Sequence, residues 1–115
     1  MAHATAPVDL KTMRETASLL LAPDADRPDV GQLDTLRLAL TGMMRVVIPE
    51  IEAAAGRLPE DDVPRACALA CVGEAQIRLR MEPGDTFEQR LARTKKLARS
   101  IRALADHCQT LGCAS

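Results

Sequence analysis

Apolar residues recur at helical spacing in four stretches of the chain, and each stretch is bounded by residues that start or stop a helix. Leu10, Met13, Ala17 and Leu20 lie three or four apart, which predicts a helix over about 9–21 with one buried stripe. Asp9 stands where a side-chain oxygen accepts from the free N–H groups of the first turn, and Val8 and Met13 stand where a hydrophobic staple forms. The segment APDADRP (22–28), with two prolines, ends it.

A longer seam follows. Leu33, Leu36, Leu40, Met44, Val47 and Ile51 predict a helix over 29–56, opened by Asp29 with Gln32 as its capping-box partner. Pro49 falls inside this seam, removes one backbone N–H and crowds the carbonyl of Arg45, so a kink is expected there. Gly56 is expected to take the left-handed conformation after the helix, with Pro59 preventing continuation. A third helix is expected over 60–81, with Glu60, Asp61 and Asp62 at its positive end and Pro64 in its first turn. A fourth is expected over 86–111, opened by Asp85 and Glu88 as a capping box. On this last helix Phe87, Leu91, Ala98, Ile101, Leu104, Ala105, Cys108 and Leu111 share one side. No stretch alternates as a strand does. Short connections between amphipathic helices describe an all-α, antiparallel four-helix bundle, kinked at Pro49. The 115 residues form one domain on this reading, with flexible ends at 1–8 and 112–115.

The third helix differs from the others. Ala68, Val72, Ala75 and Leu79 make one apolar face, while Ala66, Ala70, Gly73, Ile77 and Met81 make a second. A helix apolar on two sides is expected to be buried on both. Cys67 and Cys71 lie on a line with Glu74 and Arg78, between the two faces. There a thiol behaves as a slightly larger alanine, so both cysteines are expected in the core with Ala68, Val72, Ala75 and Leu79. A reactive reading has less support. Residues four apart on a regular helix do not make a disulfide, and CxxxC is not the CxxC of redox or zinc motifs. A metal site would need Cys67 and Cys71 with His107 and Cys108, yet the latter two point about 100° apart on a helix. No metal or other cofactor is expected.

Composition supports the helical reading: the chain is 47% apolar but has one Phe and no Trp or Tyr. The net charge of −1 argues against a general polyanion binder. Its distribution is uneven, since residues 1–62 carry eleven acidic and six basic side chains (−5), and residues 63–115 five and nine (+4). The densest basic feature is Lys95, Lys96, Arg99 and Arg102, expected to form an outward strip on the fourth helix with Arg90 and Arg93 nearby. Without a helix-turn-helix or aromatic stacking platform, that strip is expected to be a solvated face or a contact with an acidic protein patch rather than a nucleic-acid surface.

No apolar run approaches the ~18 residues that cross a bilayer, so no membrane association is expected. The first residues have neither a basic nor an apolar signal region, and four cysteines are then expected as reduced thiols in a cytoplasm. His3 stands one place too early for an N-terminal Cu(II) clip once Met1 is removed. Asp24, Asp26 and Asp29 lack the Gly and terminal Glu of a calcium loop. No phosphate loop, GxSxG or HExxH is present.

The run VVIPEIEAAAGRLPEDDVPRACALACVGEAQIRL (46–79) resembles a family of small actinobacterial proteins of unknown function that carries the label of natural product biosynthesis proteins. LARSIRALADHCQTL (97–111) is similar to the same family. The resemblance implies an actinobacterial cytoplasmic protein linked to secondary-metabolite genes, and it implies no reaction and no catalytic residue.

These readings point to a non-enzymatic accessory or regulatory protein that binds another protein or pairs with itself as a homodimer. The −5 and +4 halves suit such pairing, as do Leu38, Val46 and Ile48, which lie beside the main seam of the second helix. The alternative is a small-molecule-binding or catalytic accessory, with Met43, Met44 and Met81 lining a cavity between helices.

Overall fold

The computed structural model describes residues 8–113. His3 and the outermost parts of the two expected flexible ends lie outside the described residues. Four helices appear in order: α1 (Leu10–Leu21), α2 (Val30–Gly56), α3 (Val63–Arg80) and α4 (Phe87–Leu111). No strand occurs among the described residues. The chain is an all-α bundle in which α4 packs against every other helix, α2 packs against all three, and α1 and α3 do not meet.

The helix starts follow from local chemistry. Asp9 accepts from the Thr12 N–H, and Asp29 and Gln32 form the expected reciprocal capping box. Asp62 caps α3 by accepting from the Arg65 N–H, so α3 begins three residues later than the expected 60. Glu60 and Asp61 lie in the turn before it, and Pro64 is in the first turn, where its missing donor costs nothing. At α4 the structure departs from expectation. Thr86 and Gln89 form the capping box instead of Asp85 and Glu88, one residue later than the pattern suggested. The Gln89 side chain instead accepts from the Asp85 N–H at 2.8 Å, and Glu88 pairs with Arg27 across the bundle.

The helix ends also differ in part. Gly56 is the last residue of α2 rather than a left-handed cap, and the turn closes through Arg57 and Leu58 N–H groups that donate to Ala54 and Ala55. The left-handed cap of this fold is Gly112, at φ 68° after α4. Residues 112 and 113 therefore are not a loose tail, and Cys113 is 3% exposed and bonded to Cys108 as a disulfide. This bond corrects the expectation of four reduced thiols. At the other end Val8 is buried with Met13, so the flexible start does not reach it. α2 is continuous through Pro49, and both Pro49 and Arg45 are exposed, on the side where water can meet an orphaned carbonyl.

One core joins all four helices. Met13, Ala17 and Leu20 of α1 meet the α2 seam of Leu33, Leu40, Met44, Val47 and Ile51. Ala68, Val72 and Ala75 of α3, and Leu97, Ile101, Leu104 and Cys108 of α4, complete it. Ala is frequent where helices touch, so the helices approach closely and the longer Leu, Ile and Met chains fill the remaining space. Contacts across the bundle set its register. Arg14 reaches Asp106 and Gln109, while Ser18, one turn later on α1, meets Arg102 earlier on α4.

Candidate functional site

The four cations expected as one strip on α4 are divided by the helix. Arg99 is exposed. Arg102 turns toward α1, where it donates to Ser18 Oγ at 3.1 Å. Lys95 turns toward the α1–α2 loop and lines a small hollow with Leu20, Asp26, Arg27 and Leu91. Lys96 turns the other way, toward α3. Adjacent residues on a helix are about 100° apart, so Lys95 and Lys96 cannot share a face.

On the α3 side the structure assembles a cluster that the linear pattern does not show. Lys96 meets Arg37 from α2, Arg78 from α3 and Arg93 from α4 around one hollow, with Met81, Glu82 and Leu97 completing its wall. Two of the arginines are tied down. Arg78 donates to the Lys96 carbonyl at 3.0 Å, to Ser100 Oγ at 2.7 Å and to Glu74 at 2.7 Å. Arg93 donates to the Glu82 carbonyl at 2.8 Å, and next to it Arg90 donates to the Gly84 carbonyl at 3.1 Å. The α3–α4 turn is thus held by arginine forks reaching back to its carbonyls. Spacing along the chain could not find this group, because Arg37 and Arg93 are 56 residues apart and meet only through packing.

The outer face of α3 is the second feature. The two-sided burial expected for this helix does not occur, because α2 and α4 cover only one side. Ala68, Val72 and Ala75 are buried and Leu79 is half-buried, as their face required. Ala66, Ala70, Ile77 and Met81 face solvent, and Gly73 is half-buried. With Val63 they form a stripe of 3, 4, 3, 4 and 4 spacing, in which Val63 is 70% and Ile77 58% exposed. A side chain built on Gly73 would meet nothing within 4 Å. No other described helix covers this stripe.

Cys67 and Cys71 stand at the edge of this face and are not core residues. Cys67 is exposed and Cys71 intermediate. Burial pushes the Cys71 thiol above its ordinary value, the nearby Glu74 carboxylate pushes the same way, and Arg78 partly offsets both. The alternative metal set of Cys67, Cys71, His107 and Cys108 is not brought together. Cys108 is committed to Cys113, and no group of three metal-ligating side chains converges among the described residues.

The expected methionine cavity is also absent. Met44 is fully buried, Met43 lines a hollow with Val8, Met13 and Val46, and Met81 belongs to the arginine hollow. A roomier concavity instead lies where α1 and α2 diverge, a cleft of about 900 Å³ whose walls include Leu19, Asp24, Asp26, Pro28, Gln32 and Leu36. No described helix is long and apolar enough to cross a membrane.

An all-α bundle with an open helix face and a cationic hollow defines a class of architecture, not a reaction. The family model described as "Family of unknown function (DUF6415)" matches residues 11–113, and the chain belongs to that family. No curated protein and no solved structure matches it.

Proposed function

We propose that the protein is a non-enzymatic accessory or regulatory protein that acts through protein–protein binding, with the outer face of α3 as its contact and a second copy of the chain as the occupant. The observation that carries this reading is the exposed 3–4 stripe of Val63, Ala66, Ala70, Gly73 and Ile77. Its small central residues let a partner helix approach closely, and its larger ends close the contact. Charge selects a second copy. Glu60, Asp61 and Asp62 precede α3, while Arg78 and Arg80 occupy its last turn. Two α3 helices running in opposite directions about a two-fold axis place each acidic end beside the other's basic end. Leu38 and Val46 on α2, 70% and 52% exposed, add apolar surface. Ile48 does not, because it is buried in the core.

Sedimentation of the full chain at micromolar concentration and low salt tests the pairing. A dimer is expected, weakened by salt because exposed charge pairs are screened. Ala70→Glu, at an exposed position in the centre of the stripe, is expected to yield a folded monomer. A monomer in the unmodified chain, or a dimer that survives the substitution, overturns the proposal.

The resemblance of 46–79 and 97–111 supports a setting in an actinobacterial cytoplasm, in association with natural-product biosynthesis. Deleting the gene and comparing secondary-metabolite profiles tests this, and an unchanged profile removes it.

A second reading, a small-molecule-binding or catalytic accessory, is favoured by the α1–α2 cleft, whose ~900 Å³ falls within the range of ligand sites. A thermal-shift screen against pathway intermediates separates the two, since a ligand selective for the folded state raises its stability.

A further inference from the structure

We propose that the hollow formed by Arg37, Arg78, Arg93 and Lys96 is a binding site for a phosphate group, carried either by free phosphate or by a small phosphate monoester. This site is separate from the α1–α2 cleft, and it shares with the proposed α3 contact only Arg78 and Met81, at the end of that helix. Four cations from three helices line one hollow, and like charges so arranged repel one another unless an anion joins them. The protein supplies little of that anion. Arg78 pairs with Glu74, but among the described residues no carboxylate forms an ion pair with Arg37, Arg93 or Lys96, although Glu82 lies in the same wall.

Stabilising α3 does not account for the group. A cation in the last turn of a helix favours its negative end, which suits Arg78. Arg37 and Lys96 lie within the bodies of α2 and α4, where no such benefit applies. They also make no side-chain hydrogen bond among the described residues, whereas Arg78 and Arg93 are each anchored to carbonyl oxygens. Anchored arginines are already ordered before a ligand arrives, so less freedom is lost on binding. Their planar forks match the oxygens of a phosphate two at a time, and the Lys96 ammonium adds a compact charge. Met81 and the buried Leu97 form the apolar part of the wall.

Size limits the ligand. The hollow is shallow, with room for about one water (about 10 Å³). A phosphate group would therefore rest over the hollow rather than inside it, with any ester substituent left in solvent.

The test is a titration of the full chain with inorganic phosphate and, separately, with glycerol phosphate, at ionic strength held constant with sodium chloride. Nitrogen-15 NMR reports on Arg37, Arg93 and Lys96. Saturable shifts at these residues are expected, and the probe that saturates first identifies the free or the esterified form as the better ligand. Arg37→Gln combined with Lys96→Gln is expected to weaken binding about tenfold or more, since each variant removes charged hydrogen bonds. Arg99→Gln, on the same helix but outside the hollow, is expected to bind as the unmodified chain does. Because neither Arg37 nor Lys96 holds a structural hydrogen bond and their removal relieves repulsion, the double variant should remain folded without phosphate. Its midpoint should be no lower than that of the unmodified chain, and each single variant provides a further check. Unsaturable shifts with both probes, or equal binding by the double variant, overturn the assignment.

Discussion

Arg78 on α3 donates from Nη1 to Ser100 Oγ on α4 at 2.7 Å, and Ser100 is only 4% exposed. The same nitrogen reaches the Lys96 carbonyl, so one side chain satisfies two acceptors on the neighbouring helix and fixes how α3 lies on α4. Arg14 and Asp106 form a different kind of link. Their side chains, 2.9 Å apart, are 36% and 73% exposed, and water competes for both.

Removing the first link should cost more than removing the second. Arg78→Ala is expected to destabilise the fold by about 1–3 kcal/mol, because a buried hydroxyl and a carbonyl lose their donor. Arg78→Lys should recover only part of this, since a single ammonium cannot also reach Glu74 as a fork does. Asp106→Asn is expected to cost less than about 1 kcal/mol. Denaturant midpoints of the three variants check the order, and an equal cost for Arg78→Ala and Asp106→Asn would contradict it.

Gly84 and Gly112 both have positive φ, 108° and 68°, but their surroundings differ. A side chain on Gly84 would lie 2.7 Å from Gln89 Cβ and 3.2 Å from the Arg90 nitrogen, while one on Gly112 would meet nothing within 4 Å. Gly84→Ala adds a clash to the backbone cost and should destabilise by on the order of 3 kcal/mol, displacing the α3–α4 turn. Gly112→Ala carries the left-handed cost alone, about 1 kcal/mol. Thermal unfolding of the two variants should therefore separate clearly.

The two free cysteines should react at different rates. Cys67 is exposed, whereas Cys71 is half-buried with a thiol pushed upward by burial and by Glu74. The thiolate is the nucleophile, so alkylation of the native chain should modify Cys67 well before Cys71. Mass spectrometry of a time course reads this directly. Glu74→Gln should speed Cys71 labelling by removing one of the two upward influences, and no change would mean that burial alone sets its rate.

Asp9 gives the fold an acid-sensitive cap. Hydrogen bonds from the Thr12 hydroxyl and then the Thr12 N–H hold its carboxyl below its ordinary value. A carboxyl with a lowered folded-state pKa adds stability that is complete above the unfolded value and lost as pH falls through the folded one. The stability difference between the unmodified chain and Asp9→Ala should therefore be constant near neutral pH and shrink below about pH 4. Urea titrations across that interval measure it, and a difference unchanged by acid would remove the ionised cap from the account.

The helices were legible from the chain because their signals are local. Asp9, Asp29 and Asp62 each act on N–H groups within one turn, and a single residue type in the right place is enough. The same locality explains the error at α4. Asp85 and Glu88, and Thr86 and Gln89, both satisfy the spacing of a capping box, and the positive φ of Gly84 in the preceding turn is not visible in residue types alone. The disulfide between Cys108 and Cys113 escaped for a related reason. The left-handed turn at Gly112 reverses the chain and brings the two Cα atoms to 5.2 Å, whereas on a continued helix they would diverge.

Sequence alone determined that this protein is helical, where most of its helices begin, and which single face of α1, α2 and α4 is apolar, since each follows from spacing and caps. Tertiary structure decided everything that depends on neighbours. The two apolar faces of α3 are equivalent as patterns, and only the positions of α2 and α4 determine that Ala68, Val72 and Ala75 are covered while Ala66, Ala70 and Ile77 are left open. Arg37, Arg78, Arg93 and Lys96 likewise come together only because three helices end up side by side. Periodicity records which residues share a side of their own helix, but a site made between helices depends on how those sides are turned toward one another.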